Sequence, residues 1–417
     1  MNATPLARPG LRPLADALAD LLGATQPLAG HEVVATFDAD GRVLAADLRS
    51  ALDVPGHDNS SMDGYAVRVA DLVAAQGGAL PVSQRIPAGH VGAVLQAGTV
   101  ARIFTGAPVP AGADAIVMQE EAEAAGEGAV SFKTVPSPGQ WIRRQGEDVA
   151  SGSVVLAAGT RLGPAELGLA ASIGFAALPV VPRVRVALLS TGDELVMPGT
   201  VAPQDLPPGA IYNSNRFFLR ALLQRLGCEV SDLGIVPDQR DATLAALRAA
   251  AATHDLILTS GGVSVGEEDH IKPAVQQLGS LDLWQIGMKP GKPFAHGRVG
   301  QAHFVGLPGN PVSSFVTFLL LVRPFLRKLQ GVPVDPDSAL PTPLALPAHF
   351  NLPKGDKRRE FLRARRNAQG GLDLFPNQSS GVLTSAVWAD GLVDNPPGQS
   401  IAHGDTVRFI PFADLLA

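Results

Sequence analysis

Between residues 181 and 330 the chain carries two hydrophobic rhythms in turn. Short, almost wholly apolar runs ("RVALLST", "EVSDLGIV", "DLILTS", "HFVGL") are separated by stretches with apolar positions at helical spacing ("NSNRFFLRALLQRLG", "RDATLAALRAAAATH", "DHIKPAVQQLG", "PVSSFVTFLLLV"). A strand that is apolar on both faces must be covered on both sides. Such strands alternating with helices predict a doubly wound, mostly parallel α/β sheet. The last helix is the most apolar. It is expected to stop at Arg323-Pro324, because proline lacks the donor a helix needs, and it is too short to span a bilayer.

The pattern changes on either side. "RPLADALADLLGAT" sets Leu14, Ala17, Leu18, Leu21 and Leu22 on one face of a helix that needs a partner surface. From about Val43 to Asp148 the apolar runs shorten, Gly and Pro multiply and no long helical pattern occurs, which predicts a small β-rich domain. "RLGPAELGLAASIG" is helical again, with Pro164 suited to the first turn. After the linker "GVPVDPDSALPTP", short alternating runs such as "FLRARR" and "DTVRFIPF" predict a C-terminal β-barrel. The expected division is a small helical/β N-terminal linking domain (1–47 with 148–180), a β-rich domain (48–147), an α/β domain (181–330) and the barrel (338–417).

Composition narrows the function classes. A chain of 417 residues needs more than one core, and 46% hydrophobic with 17% charged residues fits a soluble globular protein. The net charge of -6 disfavours nucleic-acid or membrane-surface partners, which require a basic field, so any anion site must be local. The one cysteine, Cys228, excludes an intrachain disulfide or a cysteine metal cluster and reads as a small buried apolar residue. The N-terminus lacks a signal-peptide apolar region, so a cytoplasmic location is expected.

In open α/β sheets, ligands bind beyond the carboxyl ends of the strands. The unusual residues fall there. "RVALLST" leads into Gly192-Asp193-Glu194, "EVSDLGIV" into Pro237-Asp238, and "DLILTS" into Gly261-Gly262-Val263-Ser264 and on to Asp269. "HFVGL" leads into Pro308-Gly309-Asn310-Pro311, and "IGM" precedes Lys289-Pro290-Gly291-Lys292-Pro293. Gly261 and Gly262 remove side chains, so backbone N–H groups can approach a bulky ligand. Asn310 suits an N-cap and Pro311 the first helical position; that helix start offers unpaired N–H groups to an anion. Lys289 and Lys292 add positive charge. Acids beside a phosphate would repel it, unless Mg²⁺ bridges carboxylates to phosphate oxygens.

Each loop taken alone fits plain turn or capping chemistry. The same double reading holds outside the α/β domain. "VPGHDNSSMDGYAV", with Asp58, Asn59, Ser60, Ser61 and Asp63, fits a surface turn with Asx caps or a functional loop. "KGDKRREFLRARR", with Lys354, Lys357, Arg358, Arg359, Arg363, Arg365 and Arg366, fits a solvated strand face or an oxyanion site.

Taken together and in this order, "DVPGHDNSSMDGYAV", "RIFTGAPVPAGADAIVMQE", "STGDEL", "YNSN", "TSGGVSVGEED", "KPGKPF" and "GLPGNPVSS" resemble the molybdopterin molybdenumtransferase (molybdenum insertase) family. Its relatives include the E domains of plant molybdenum-cofactor proteins and gephyrin, and the resemblance spans nearly the whole chain. It implies four domains per chain in an elongated homodimer, with the α/β domain of one chain facing the β-rich domain of the other across a shared active site. It implies a Mg²⁺-dependent transferase reaction in which adenylylated molybdopterin and molybdate give molybdenum cofactor and AMP.

Carried over position by position, the resemblance makes Asp63, Thr105, Asp238, Asp269 and Glu194 the catalytic candidates, with Asp238 and Asp269 as metal ligands. Beside the two glycines, Ser264, Lys289, Lys292, Pro293, Pro308, Pro311, Arg359 and Ser380 become substrate-binding candidates. Gln285 stands where some bacterial members have a further lysine, four residues before Lys289. The dithiolene sulfurs belong to the pterin, which suits a chain without ligand cysteines. Two other readings remain. A non-catalytic, gephyrin-like scaffold would tolerate loss of the acids, and an adenylyltransferase of molybdopterin would not need the other three domains.

Overall fold

The computed structural model describes residues 10–262 and 270–416. The Leu14–Gly23 helix buries the face its periodicity marks: Leu14, Ala17, Leu18, Leu21 and Leu22 are at most 3% exposed. Its partner is the α/β domain, whose Phe294, Phe325 and Leu326 share one core with it. Each buried leucine contributes roughly 1.5–3 kcal/mol, enough to fasten the helix to a domain remote in sequence. The rest of the linking region lies elsewhere. Glu32–Ala35 pairs antiparallel with Ala177–Val180, and the Pro164–Ser172 helix belongs to a separate small core around Leu44, Leu48, Leu162 and Leu178.

The β-rich domain is a six-stranded sheet in the order Ala115–Met118, Gly64–Val67, Val100–Ile103, Leu80–Ile86, Ala129–Phe132, Ala122–Ala124. Gly64 lies between two antiparallel neighbours with no space for a side chain; a Cβ there would overlap the Val117 carbonyl oxygen. Among the described residues, no hydrogen bond or ion pair joins residues 55–146 to the α/β domain.

The α/β sheet contains β1 (Arg185–Thr191), β2 (Glu229–Val236), β3 (Leu256–Ser260), β4 (Gly279–Gln285), β5 (Pro293–Val299) and β6 (Ala302–Leu307). The spatial order is β2-β1-β3-β6-β5-β4. Strands β2, β1, β3 and β6 are parallel, and β5 and β4 continue the sheet antiparallel. The departure from a wholly parallel sheet follows from chain length. Gly300 and Gln301 alone join β5 to β6, and two residues close a hairpin but cannot make a crossover. Both faces are covered, with side chains alternating between them. Val186, Leu188, Leu256 and Leu258 pack toward the Asn215–Arg225 helix, while Ala187, Leu189 and Ile257 pack toward the Arg240–Thr253 and Ile271–Leu278 helices.

The apolar helix does not stop at Arg323-Pro324. Pro311–Thr317 passes through a π-helical segment, Phe318–Val322, into Arg323–Leu329. Pro324 falls in the first turn after that segment, where the wider turn absorbs the missing donor. Residues 318–322 are at most 1% exposed, so burial holds the helix together through the irregularity. Cys228 is buried as expected, and desolvation pushes its thiol up to about 12.

The C-terminal sheet runs in the order Met288–Lys289, Arg359–Arg366, Gly391–Asn395, Thr406–Pro411, Leu344–Pro347, with Leu372–Leu374 paired beside Arg359–Arg366. The two ends of this path do not pair among the described residues, so it is a half-barrel rather than a closed barrel. Its first strand is lent by the α/β segment: Met288 and Lys289 pair in parallel with Arg359 and Glu360.

Candidate active site

Parallel register brings four strand ends into line. Thr191 is level with Val236, Ser190 with Ser260, and Ser260 with Leu307. The loops that follow therefore leave from one edge. Gly261 (φ 89°) and Gly262 (φ 66°) are both in the left-handed region that glycine favours. A Cβ on Gly261 would lie 3.2 Å from the Thr191 carbonyl oxygen, and one on Gly262 would lie 2.8 Å from Ile271 Cγ1. The glycines thus serve close packing of the edge itself. The Gly261 N–H donates to the Leu307 carbonyl at 3.0 Å, so it is committed within the sheet rather than offered to a ligand. Ser264, Glu267, Glu268 and Asp269 lie outside the described residues.

Glu194 and Asp238 leave from the neighbouring ends of β1 and β2. Glu194 is exposed, and its carboxylate folds back over Gly192, where a Cβ would collide with it. Asp238 is half-buried. The Pro308–Pro311 loop is fixed by Asn215, whose Nδ2 donates to the Gly309 carbonyl at 2.8 Å. Asn215 belongs to the "YNSN" stretch, and sequence alone gave it no role. Asn310 stands at the N-cap position but makes no side-chain capping bond. The helix start is less open to an anion than expected. Pro311 has no N–H, and the Val312 N–H donates at 2.9 Å to the carbonyl of Ser380, which the C-terminal domain brings to the loop.

Lys289 and Lys292 reach an open pocket of about 490 Å³, lined also by Leu11, Lys354, Gly355, Asp356, Lys357 and Arg358. Lys292 is exposed and makes no ion pair among the described residues. Lys289 is not a free cation. Its Nζ lies 3.1 Å from Glu360 Oε1 and 3.3 Å from Asp356 Oδ2. The Arg358 guanidinium, bonded to Asp356 at 3.0 and 3.1 Å, holds the Asp356 carboxyl well below the usual range, and Lys289 adds to the effect. Pro293 faces Gln285 across the β4–β5 pair, and the Gln285 carbonyl accepts the Arg12 N–H at 2.7 Å. Arg359 makes a fork to Asp394, with Nε–Oδ1 2.6 Å and Nη2–Oδ2 2.7 Å. Asp394 is almost wholly buried, and this bonding raises the arginine's affinity for its proton.

The β-rich domain carries its own pair. Thr105 bonds Asp63 through both its backbone N–H and its hydroxyl. These two donors, the N–H first, hold the Asp63 carboxyl below its ordinary value. The other polar residues of that stretch are turn-makers. Asp58 accepts from Arg144 and from the Gln145 N–H, and the Ser60 hydroxyl donates to the Met62 carbonyl.

A doubly wound sheet whose carboxyl edge adjoins a lysine-lined pocket, closed on one side by a half-barrel, defines a multidomain α/β protein with an anion-facing cleft. Residues 12–174 match the family model of the MoeA N-terminal region (domain I and II), residues 187–328 that of a probable molybdopterin binding domain, and residues 345–412 that of the MoeA C-terminal region (domain IV). The chain is 41% identical over 388 residues to the molybdopterin molybdenumtransferase of Haemophilus influenzae, covering 91% of this chain and 93% of that one. It is 41% identical over 393 residues to molybdopterin molybdenumtransferase 2 of Mycobacterium tuberculosis, with coverage of 91% and 93%. The solved molybdopterin biosynthesis moeA protein of Pyrococcus horikoshii OT3 superposes with a TM-score of 0.83 at 27% identity, covering 96% of this chain and 100% of that one. The chain belongs to the molybdopterin molybdenumtransferase family. Among the described residues, no helix is long and apolar enough to cross a membrane.

Proposed function

We propose that this protein inserts molybdate into adenylylated molybdopterin, releasing AMP and forming molybdenum cofactor in a Mg²⁺-dependent reaction. The observation that carries this reading is that two loops at the carboxyl edge of the α/β domain both meet the C-terminal domain. The Lys289–Pro293 loop pairs with the strand that starts at Arg359, and the Pro308–Pro311 loop is bonded to Ser380. Relatives 41% identical to this chain, with 93% of their length covered, bear the transferase name.

The acids and the bases divide the work. Glu194 and Asp238, on adjacent strand ends, are a hard oxygen donor set of the kind Mg²⁺ takes along with waters and phosphate oxygens. They would hold the ion at the pyrophosphate of the substrate, with Asp269 as a further ligand. When bound, the ion would offset the charge that builds on the phosphoanhydride as AMP leaves. Lys292, which makes no ion pair among the described residues, supplies positive charge for molybdate, a tetrahedral dianion, and Lys289 is a second donor beside it. Pro293 ends the lysine loop, and Pro308, Pro311 and Ser380 shape the neighbouring loop, where the Val312 N–H donates to the Ser380 carbonyl. Arg359, forked to Asp394, holds the strand that carries Glu360. The new bonds of molybdenum are to sulfurs of the pterin, so Cys228, buried with its thiol protonated, takes no part.

Asp63 and Thr105 enter through assembly. Residues 55–146 form no hydrogen bond or ion pair with their own α/β domain among the described residues, which supports a homodimer in which they serve the partner's cleft. The test is AMP release from adenylylated molybdopterin with molybdate and Mg²⁺. Release is expected to stop when EDTA removes the metal and to fall at least tenfold in Asp238→Asn. No AMP from the wild-type protein, or undiminished release from Asp238→Asn, overturns the reading.

A further inference from the structure

Lys289 is tied at both ends to one strand of the C-terminal domain. Its backbone pairs with Arg359-Glu360, which makes Glu360 its direct cross-strand partner, and its ammonium bonds Glu360 Oε1 at 3.1 Å. Asp356 Oδ2, at 3.3 Å, takes a second contact. An ammonium has three donors, so one is left for the pocket, to which the 40%-exposed Lys289 side chain contributes.

Glu360 is itself held. The Glu360 side chain is 3% exposed, and Oε2 accepts the Asp356 N–H at 2.9 Å and lies 3.5 Å from Asn395 Nδ2. A carboxylate is costly to bury unless it is paired and hydrogen-bonded. Here its partners are one lysine facing the pocket and groups that fix its own rotamer. Such an arrangement does not raise the field on an anion, since the two acids offset the charge of Lys289. What it does is hold a flexible four-carbon side chain in one place.

We infer that Glu360 is a positioning residue that sets the Lys289 ammonium at the oxyanion pocket, so that the C-terminal domain aims a donor of the α/β domain. This inference rests on the anion reading of the pocket given above. It separates the roles of two of the four lysines that line the pocket: Lys292 carries charge, and Lys289 carries direction.

Two substitutions distinguish direction from charge. Glu360→Asp keeps the charge but withdraws the acceptor by about 1.5 Å, one carbon–carbon bond. Glu360→Gln keeps the reach and one acceptor for Lys289, but it removes the charge and puts an NH2 group where Oε2 accepted the Asp356 N–H. Molybdate binding to the full-length protein is measured by titration calorimetry, with thermal unfolding to establish that each variant is folded. Glu360→Asp is expected to bind molybdate about tenfold more weakly, and Glu360→Gln to stay within about threefold of wild type on the weak side. In turnover the Glu360→Asp loss is expected in KM for molybdate, with kcat kept within about twofold. Wild-type affinity in folded Glu360→Asp, or tighter binding in Glu360→Gln, overturns the inference and leaves Glu360 as charge compensation. If the wild-type protein binds no molybdate, the anion reading of the pocket falls and this inference with it.

Discussion

Thr105 donates its backbone N–H at 2.8 Å and its hydroxyl at 2.7 Å to one oxygen of Asp63, across 42 residues of sequence. Both bonds fall on Oδ1, so the second carboxylate oxygen is left for another partner. Donors aimed at the charged form keep the group ionised, and the pair is set on a domain that, among the described residues, makes no hydrogen bond or ion pair to its own α/β domain. Asp63→Asn and Thr105→Val are expected to lower AMP release about tenfold or more while leaving the melting temperature nearly unchanged, because the pair is on the surface. Loss of activity that tracks loss of folded protein by circular dichroism would reduce the pair to a structural clip.

The proposed homodimer with a shared site predicts complementation between subunits. Asp63→Asn disables the contribution of the β-rich domain and Lys292→Ala that of the α/β cleft. In a randomly exchanged equal mixture, half the dimers are mixed and each mixed dimer retains one intact site. Activity should therefore return to about a quarter of wild type, measured as AMP release after subunit exchange. No recovery would place both contributions in one chain.

Gly64 is a matter of space, not of flexibility. Its would-be Cβ overlaps the Val117 carbonyl oxygen of the adjacent strand. Backbone cannot step aside as a side-chain tip can, so Gly64→Ala should cost about 3 kcal/mol or more, read by urea unfolding. The damage should be confined to the β-rich sheet.

Acid should destabilise the α/β domain through two histidines. His296 and His303 are buried, stack with ring centroids 5.9 Å apart, and pack on Phe325. Desolvation lowers His296 to about 4 and His303 to about 3. The unfolded chain takes up these protons from about pH 6.5 downward while the native state does not, so stability is full above 6.5 and declines as pH falls toward the folded values. At pH 5 each histidine should cost about 2 kcal/mol, and His303→Phe should flatten the profile. Thermal melts between pH 7 and 5 check this.

Arg359 ties the C-terminal strands together before it can serve a ligand. Its fork to the buried Asp394 is shared with Arg408 at 3.1 Å from Oδ2. A lysine cannot reproduce a two-pronged bond, so Arg359→Lys should lower stability by about 1–3 kcal/mol, measured by chemical unfolding. Glu360 is the next residue in the same strand, so a parallel weakening of molybdate binding is expected.

Much of this was legible in the sequence, for physical reasons that can be named. Apolar runs with no polar face specify the buried strands β1 and β3, and helical periodicity picks out Leu14, Leu18 and Leu21, because burial acts on each side chain locally. Cys228 among apolar neighbours was read correctly as buried, and Glu194, Asp238, Gly261 and Gly262 do follow strand ends as the sequence placed them. The antiparallel β4–β5–β6 edge was not read from the sequence, since its local signal is only the two-residue turn at Gly300-Gln301. What the tertiary structure decided was partnership. Nothing local in "DKRREF" says that Glu360 binds Lys289 or that Arg359 binds Asp394, and nothing in "SMDGYAV" says that Asp63 awaits Thr105. The helix continued past Arg323-Pro324 because a surrounding core held it, and Ser380 reached the 308–311 loop because a half-barrel docked there. Periodicity reports the face a residue turns to the core, but which charge meets which is set by contacts between segments far apart in the chain.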